Sequence, residues 1–176
     1  MYSKILLILS GNAVTSLLTL VRNLLVARLI PVEDYGVAAT FAVVMAFVEM
    51  ISAFGLQQMV VQSRTDDPDW QAALQGFQVL RAVVPAAILF FAATPIATFL
   101  NVPEVAWAYQ VLALAPLMNG LVHLDIFRLN RKMVYLPGVT ATAGAAFFAL
   151  LAVGPLYLAF GDYRVMLFSL ILQFTL

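Results

Sequence analysis

The side chains in this sequence best able to do chemistry are polar groups set inside long apolar runs. Asn12, Thr15, Ser16, Thr19, Arg22 and Asn23 recur at three- and four-residue spacing, which on a helix gathers them within about a third of the circumference. One face of that helix is therefore polar along most of its length. Packing between membrane helices accounts for Thr15 and Ser16, because small hydroxyl side chains commonly hydrogen-bond across such interfaces. It accounts poorly for Arg22, whose charge is costly against lipid and which reads instead as lining a hydrated cavity. Arg28 projects from nearly the opposite side, close enough to the helix end to snorkel to the interface.

Further polar groups follow in the later runs. Glu49 shares a helix side with Ala38, Ala42, Ala46, Ser52 and Ala53. Its carboxylate needs a cation or must take up a proton, so it is either a proton- or sodium-coupling site or half of a structural ion pair with Arg22 or Arg81. Gln71, Gln78, Arg81 and Pro85 fall on one side of a third run, and Tyr109, Pro116, Asn119 and His123 align on a fourth. Opposite running directions bring Arg81, Asn119 and His123 to comparable depth, which makes a ladder of polar groups across the membrane.

Other chemistry is poorly supplied. The chain has no cysteine and one histidine, which excludes disulfides, thiolate nucleophiles and Cys-ligated metal. His123, near a helix end, reads as interfacial rather than ligand-binding, and Asp125 pairs with Arg128. Asp66, Asp67 and Asp69 read as a solvated loop, since no complementary ligand spacing follows. No catalytic constellation is present, and neither a cofactor nor a metal is expected.

The elements that must position these groups follow from composition. Of 176 residues 64% are hydrophobic and only 10% charged, with a formal net charge of zero and a mean hydropathy of +0.99. A soluble domain is about a quarter charged, so this chain is built for a bilayer, and a basic nucleic-acid-binding surface is excluded. A helix needs about 20 apolar residues to cross about 30 Å of hydrocarbon. The expected architecture is all-α: a single bundle over residues 1–176 with full spans at Ile5 to Ile30, Tyr35 to Val61, Leu74 to Leu100, Val105 to Phe127 and Val134 to Phe160. A sixth starts near Tyr163 and is cut short at Leu176, so the chain is expected to be a fragment. The connections are short and rich in Pro, Gly, Asn and Asp. The first run is too long for a signal peptide. Thr140 and Gly144 in the fifth run are spaced for close helix packing. Lys4, Arg64, Arg128, Arg131 and Lys132 on one side against Arg28 and Arg164 on the other predict a cytoplasmic N-terminus.

The segment Asn23 to Gly36 contains Ala27-Arg28-Leu29-Ile30-Pro31-Val32-Glu33-Asp34-Tyr35-Gly36. It resembles the end of the first helix in bacterial polysaccharide or oligosaccharide flippases. Phe54 to Gln62 resembles that family's Leu-Gly-Leu segment, and Leu112 to Leu117 through Leu129 to Lys132 its fourth helix and basic loop. The similarity covers nearly the whole chain in order and spacing. It implies membership of the multidrug, oligosaccharidyl-lipid and polysaccharide exporter superfamily, whose members carry 12 to 14 helices in two lobes. The chain would then be most of the first lobe, partnered by a C-terminal lobe of the same protein in the bacterial inner membrane. The implied activity is alternating-access transfer of a lipid-linked oligosaccharide for surface polysaccharide. One departure is Ala53, where family members often carry an acidic residue; Glu49, one turn earlier, is the nearest substitute.

An undecaprenyl-diphosphate sugar needs cationic donors for diphosphate and amides for sugar hydroxyls. The resemblance therefore assigns Arg22 and Arg81 to diphosphate, Asn12, Asn23, Gln78 and Asn119 to sugar, and Glu49 to possible coupling with a proton or sodium ion. The alternatives are a drug exporter of the same superfamily, with a more aromatic cavity, and a membrane-embedded enzyme of lipid-linked sugar metabolism. The enzyme would require a large outer loop that the short connections do not provide. A purely structural membrane subunit leaves the polar stripe without a purpose.

Overall fold

The computed structural model describes residues 2–52, 68–122, 129–130 and 133–175. Every regular element among them is helical: α1 (Tyr2–Leu29), α2 (Val32–Ser52), α3 (Pro68–Phe99), a 3-10 turn (Pro103–Val105), α4 (Ala106–Leu112), α5 (Leu114–Leu121), α6 (Leu136–Ala159) and α7 (Arg164–Thr175). Three stretches are long and apolar enough to cross a bilayer: Leu6–Leu29, Ala72–Phe99 and Leu136–Ala159. They match the first, third and fifth expected spans. The second expected span runs on beyond Ser52 into residues outside the described set.

The fourth expected span, Val105 to Phe127, differs. It opens with the 3-10 turn, breaks at Ala113, and its second helix ends at Leu121. Pro116 explains the break: lacking an N–H, it cannot bond the carbonyl of Leu112, and its ring crowds that carbonyl. The Ala113 N–H is shared between the Tyr109 and Gln110 carbonyls, both at 3.2 Å. Val122 then turns to ψ 127°, out of helical geometry.

Helix ends are closed by local backbone devices. Asn101, at φ 59°, stops α3 in the left-handed conformation, and the Val102 N–H reaches back to the Ala97 carbonyl at 2.8 Å, as in a Schellman motif. Gly161, at φ 69°, follows α6. Asp162 Oδ1 then accepts the Arg164 N–H at 2.9 Å to start α7. Glu33 and Asp34 lie in the first turn of α2, where the helix dipole favours acids. This end of the bundle is crowded with negative charge. Burial, with repulsion from Asp162 and Glu33, raises the Asp34 carboxyl above its ordinary value.

Packing is not sequential. α1 lies mainly along α6 rather than along α2, and α3 lies along α4 and α5. The short α7 touches α6, α5, α4, α2 and α1, and so sits among the other helices as a shared wedge. Its Val165, Met166, Leu167, Ser169 and Leu170 are buried. The common core gathers near the end where α1 turns into α2 and α6 into α7: Val26, Ile30, Phe41, Leu89, Tyr109, Leu112 and Leu167 belong to it. Phe41 meets the Tyr109 ring edge-on at 5.2 Å, and the Tyr109 hydroxyl shares a hydrogen bond with that of Thr40. A buried phenol thereby keeps a partner for its one polar atom.

Two contacts depend on missing side chains. A Cβ on Gly120 would overlap the Cβ of Ala82 in α3, and one on Gly11 would overlap a methyl of Val139 in α6. By contrast, a Cβ on Gly76, in mid-α3, meets nothing within 4 Å. Gly120→Ala is expected to lower stability by about 1–3 kcal/mol, as overpacking does. Gly76→Ala should raise it by about 0.5–1 kcal/mol through helix propensity alone. Unfolding of the detergent-solubilised protein, followed by circular dichroism, checks both.

Candidate translocation face

The polar stripe of α1 straddles the border between buried and exposed helix surface. Gly11 and Val26 are buried, Thr15, Thr19 and Asn23 half-buried, and Asn12 and Ser16 exposed. At 1.5 Å per residue, Asn12 and Ser16 lie about 9 and 15 Å inside the apolar stretch that begins at Leu6. Polar groups are thus presented outward at hydrocarbon depth. Thr15 satisfies itself by donating to the Gly11 carbonyl at 3.0 Å.

Arg22 is not on the open part of this surface. Its side chain is only 2% exposed, so the expected cavity-lining position is not the one it occupies in this conformation. Nε and Nη2 donate to Asn23 Oδ1 at 3.3 and 3.2 Å, and Nη1 donates to Oε1 of Gln173 in α7. No carboxylate pairs with it among the described residues. The ion pair between Glu49 and Arg22, one of the two expectations for Glu49, is therefore absent. Two carboxamide oxygens hydrogen-bond the guanidinium without neutralising it.

On α2, the small-residue face opens progressively along the helix. Ala38 is buried, Ala42 half-buried, and Ala46 and Glu49 exposed. Glu49 is 17 residues from Val32 and Asn12 is 17 residues from Leu29. Measured from the α1–α2 turn, both sit about 26 Å along their helices. The carboxylate and Asn12 therefore lie at equal distances from the turn.

The α3–α5 side groups its polar residues differently. Gln78 is buried and its Nε2 donates to the carbonyls of Gly120 at 3.2 Å and Val122 at 2.8 Å. Gln75 Nε2 approaches the same Val122 carbonyl at 3.4 Å. These amides close the end of α5, where the last carbonyls lack helical partners. Arg81 is half-buried and partnered, and Asn119 is exposed. The Gly120–Ala82 contact places Arg81 and Asn119 at comparable depth. His123, Asp125 and the Asp66, Asp67 and Asp69 loop lie outside the described residues. No group of acidic, His or Cys side chains able to hold a metal occurs among the described residues.

The structure thus leaves Asn12 and Ser16 exposed on α1 and Glu49 exposed on α2 at a distance from the turn that matches Asn12, joins Arg22 to Asn23 and Gln173, and leaves Gln78, Arg81 and Asn119 in a separate group at α3 and α5. Gln173 was the residue that sequence reasoning missed. Its signal was a lone amide in an otherwise apolar helix, at a spot read only as the end of the chain.

The chain is 28% identical over 147 residues to the succinoglycan biosynthesis transport protein ExoT of Rhizobium meliloti (strain 1021). The match takes in 81% of this chain and 29% of that protein, so the chain spans under a third of its relative's length. No solved structure matches significantly. The family model described as polysaccharide biosynthesis protein matches residues 25–176, and with it the chain belongs to that family of polysaccharide biosynthesis proteins.

Proposed function

We propose that this chain forms part of a translocase that carries lipid-linked oligosaccharide or polysaccharide repeat units across the bacterial inner membrane by alternating access. In this reading the N-terminus is cytoplasmic, the helices beyond the three long spans complete five crossings and enter a sixth, and a second lobe faces this one. The observation that carries it is the exposure of Asn12, Ser16 and Glu49 on helix surfaces within the apolar thickness. Such groups are costly against acyl chains and at home in a watered passage. Membership of a polysaccharide biosynthesis family and similarity to a succinoglycan transport protein support the cargo class. Transport of an intact head group needs no bond to form or break, so the chain does not act as an enzyme in this reading.

The cargo has a diphosphate and many hydroxyls. Asn12 and Asn23 on α1 and Asn119 on α5 offer amides to the sugar, and Arg22 and Arg81 offer guanidinium groups to the diphosphate. Gln173 then acts as a neutral placeholder: it holds Arg22 while the cargo is absent and yields it as α1 and α7 part. Gln78, committed to the end of α5, serves the sugar indirectly by holding Asn119. Glu49, exposed and without a cationic partner among the described residues, is the site for a coupling proton or sodium ion.

Arg22→Ala and Arg81→Ala are each expected to cut export of surface polysaccharide at least tenfold with membrane insertion unchanged, a tenfold loss being about 1.4 kcal/mol. Wild-type export in the double variant rejects the assignment. Gln173 gives a second test. Gln173→Leu should destabilise the bundle by about 1–3 kcal/mol, since an Arg22 donor loses its acceptor. Gln173→Glu should restore stability yet block export, because a permanent ion pair keeps the guanidinium from the diphosphate; unfolding curves and an export assay separate the two effects.

A further inference from the structure

A trough of about 600 Å³ runs between α3 and the α4–α5 pair, on residues the translocation reading does not use. Its floor is made of alanines: Ala86 and Ala113 are each 4% exposed, while Phe91 on the rim is 79% exposed and Phe90 48%. Small residues below and aromatic rings above make a channel rather than a flat lipid-facing surface. The length from Trp107 to Leu117 along α4 and α5 is about 15 Å. Among the residues lining it, one side chain carries hydrogen-bonding amide groups: Gln110.

The Gln110 side chain has no hydrogen-bond partner among the described residues. An amide at the edge of the hydrocarbon region costs free energy unless something bonds to it. The occupant must therefore be apolar over most of its length and carry an acceptor at this one level. Trp107, which lines the trough three residues before Gln110 and about 4.5 Å nearer the membrane surface, marks the head-group level preferred by Trp. Above its ring, at 5.3 Å from the centroid, sits the Arg164 guanidinium. Arg164 Nε is 3.4 Å from Asp162 Oδ2 but makes no hydrogen bond and is buried. The Asp162 carboxylate is turned instead to the Arg164 backbone N–H.

Charge decides the head group. This end of the bundle carries Arg28 and Arg164 against Glu33, Asp34, Glu104 and Asp162, two cations against four acids. Glu104 is exposed and precedes Trp107 by three residues, on the same side of the chain. A purely anionic head would find one guanidinium and a surplus of carboxylates. A head with both a phosphate and an amine complements both signs.

We infer that the trough holds one acyl chain of a zwitterionic, amine-headed diacyl glycerophospholipid. Its phosphate lies on Arg164, its ammonium faces Glu104, and an ester carbonyl accepts from Gln110. The ester matters, because a polyprenyl phosphate has no carbonyl at that depth. The site is distinct from the α1–α2 face and needs no transport activity to be tested.

The test uses the full-length protein, delipidated in detergent and titrated by native mass spectrometry with dioleoyl phosphatidylethanolamine, phosphatidylglycerol or undecaprenyl phosphate. One phosphatidylethanolamine should be retained in preference to either competitor. Gln110→Leu should weaken retention about three- to tenfold, the worth of one hydrogen bond, and Arg164→Gln by at least as much. A phosphatidylethanolamine with a photoreactive acyl chain should label Phe90 or Leu114 on the trough walls, a readout available in the unaltered protein. Preference for phosphatidylglycerol or undecaprenyl phosphate overturns the inference. So does undiminished retention by a folded Gln110→Leu variant, or labelling confined to other helices.

Discussion

A guanidinium sunk among apolar helices, with only carboxamide oxygens to receive it among the described residues, sets the terms for this bundle. Arg22 reaches Gln173, 151 residues further along the chain, and so ties the first helix to the wedge that touches most of the others. Hydrogen bonds to neutral amides satisfy direction but leave the charge standing, and in a medium of low polarity an unneutralised charge attracts any anion that comes within reach. A carboxylate in place of Gln173 would make a better lock and a worse receptor. Under the translocation proposal, the neutral partner suits a residue that has to change hands, and the stability of the α1–α7 contact and the handling of an anionic cargo become physically one question.

The same demand for partners shapes the backbone. The end of α5 leaves carbonyl groups without helical donors, and Gln75 and Gln78 of the neighbouring helix turn toward the carbonyls of Gly120 and Val122 to supply them. Close approach makes this possible: Gly120 lets α5 lie against Ala82. A glycine and two glutamines thus form a single arrangement in which the early end of α5 keeps its carbonyls hydrogen-bonded.

Much of this was legible from residue order alone. The long apolar runs located α1, α3 and α6 to within a few residues, because backbone satisfaction in lipid leaves a helix as the default for such a run. The 3.6-residue period placed Asn12, Ser16 and Arg22 on one broad face. It did not separate the exposed strip at Asn12 and Ser16 from the buried edge at Arg22, since the division depends on where α6 and α7 lie against α1, a tertiary fact. Periodicity likewise grouped Gln78 with Arg81 as cavity-facing, whereas the unpaired carbonyls beside α5 claim the glutamine. The break at Ala113 was foreshadowed by Pro116, yet a hydropathy run reads straight through a proline. Gln173 and Gln110 escaped notice because a single amide in an apolar stretch has no period to betray it.

The two polar devices occupy different sides and answer different needs. The α1–α2 face combines small side chains, amides and a carboxylate well inside the apolar thickness, and exposure there has meaning only beside water or a polar cargo. The α3–α4–α5 trough is apolar to its floor and meets polarity only at Gln110 and, above it, at the Trp107 level, where lipid itself changes from chain to head group. Under the two proposals above, a surface that passes a hydrated head cannot also grip hydrocarbon, and the separation of the two sides serves both. The shared core near the α1–α2 and α6–α7 turns holds both sides to α7. Any movement of α7 that releases Arg22 therefore also shifts Arg164, its first residue, over the Trp107 ring, which couples the polar face to the lipid-facing trough through one short helix.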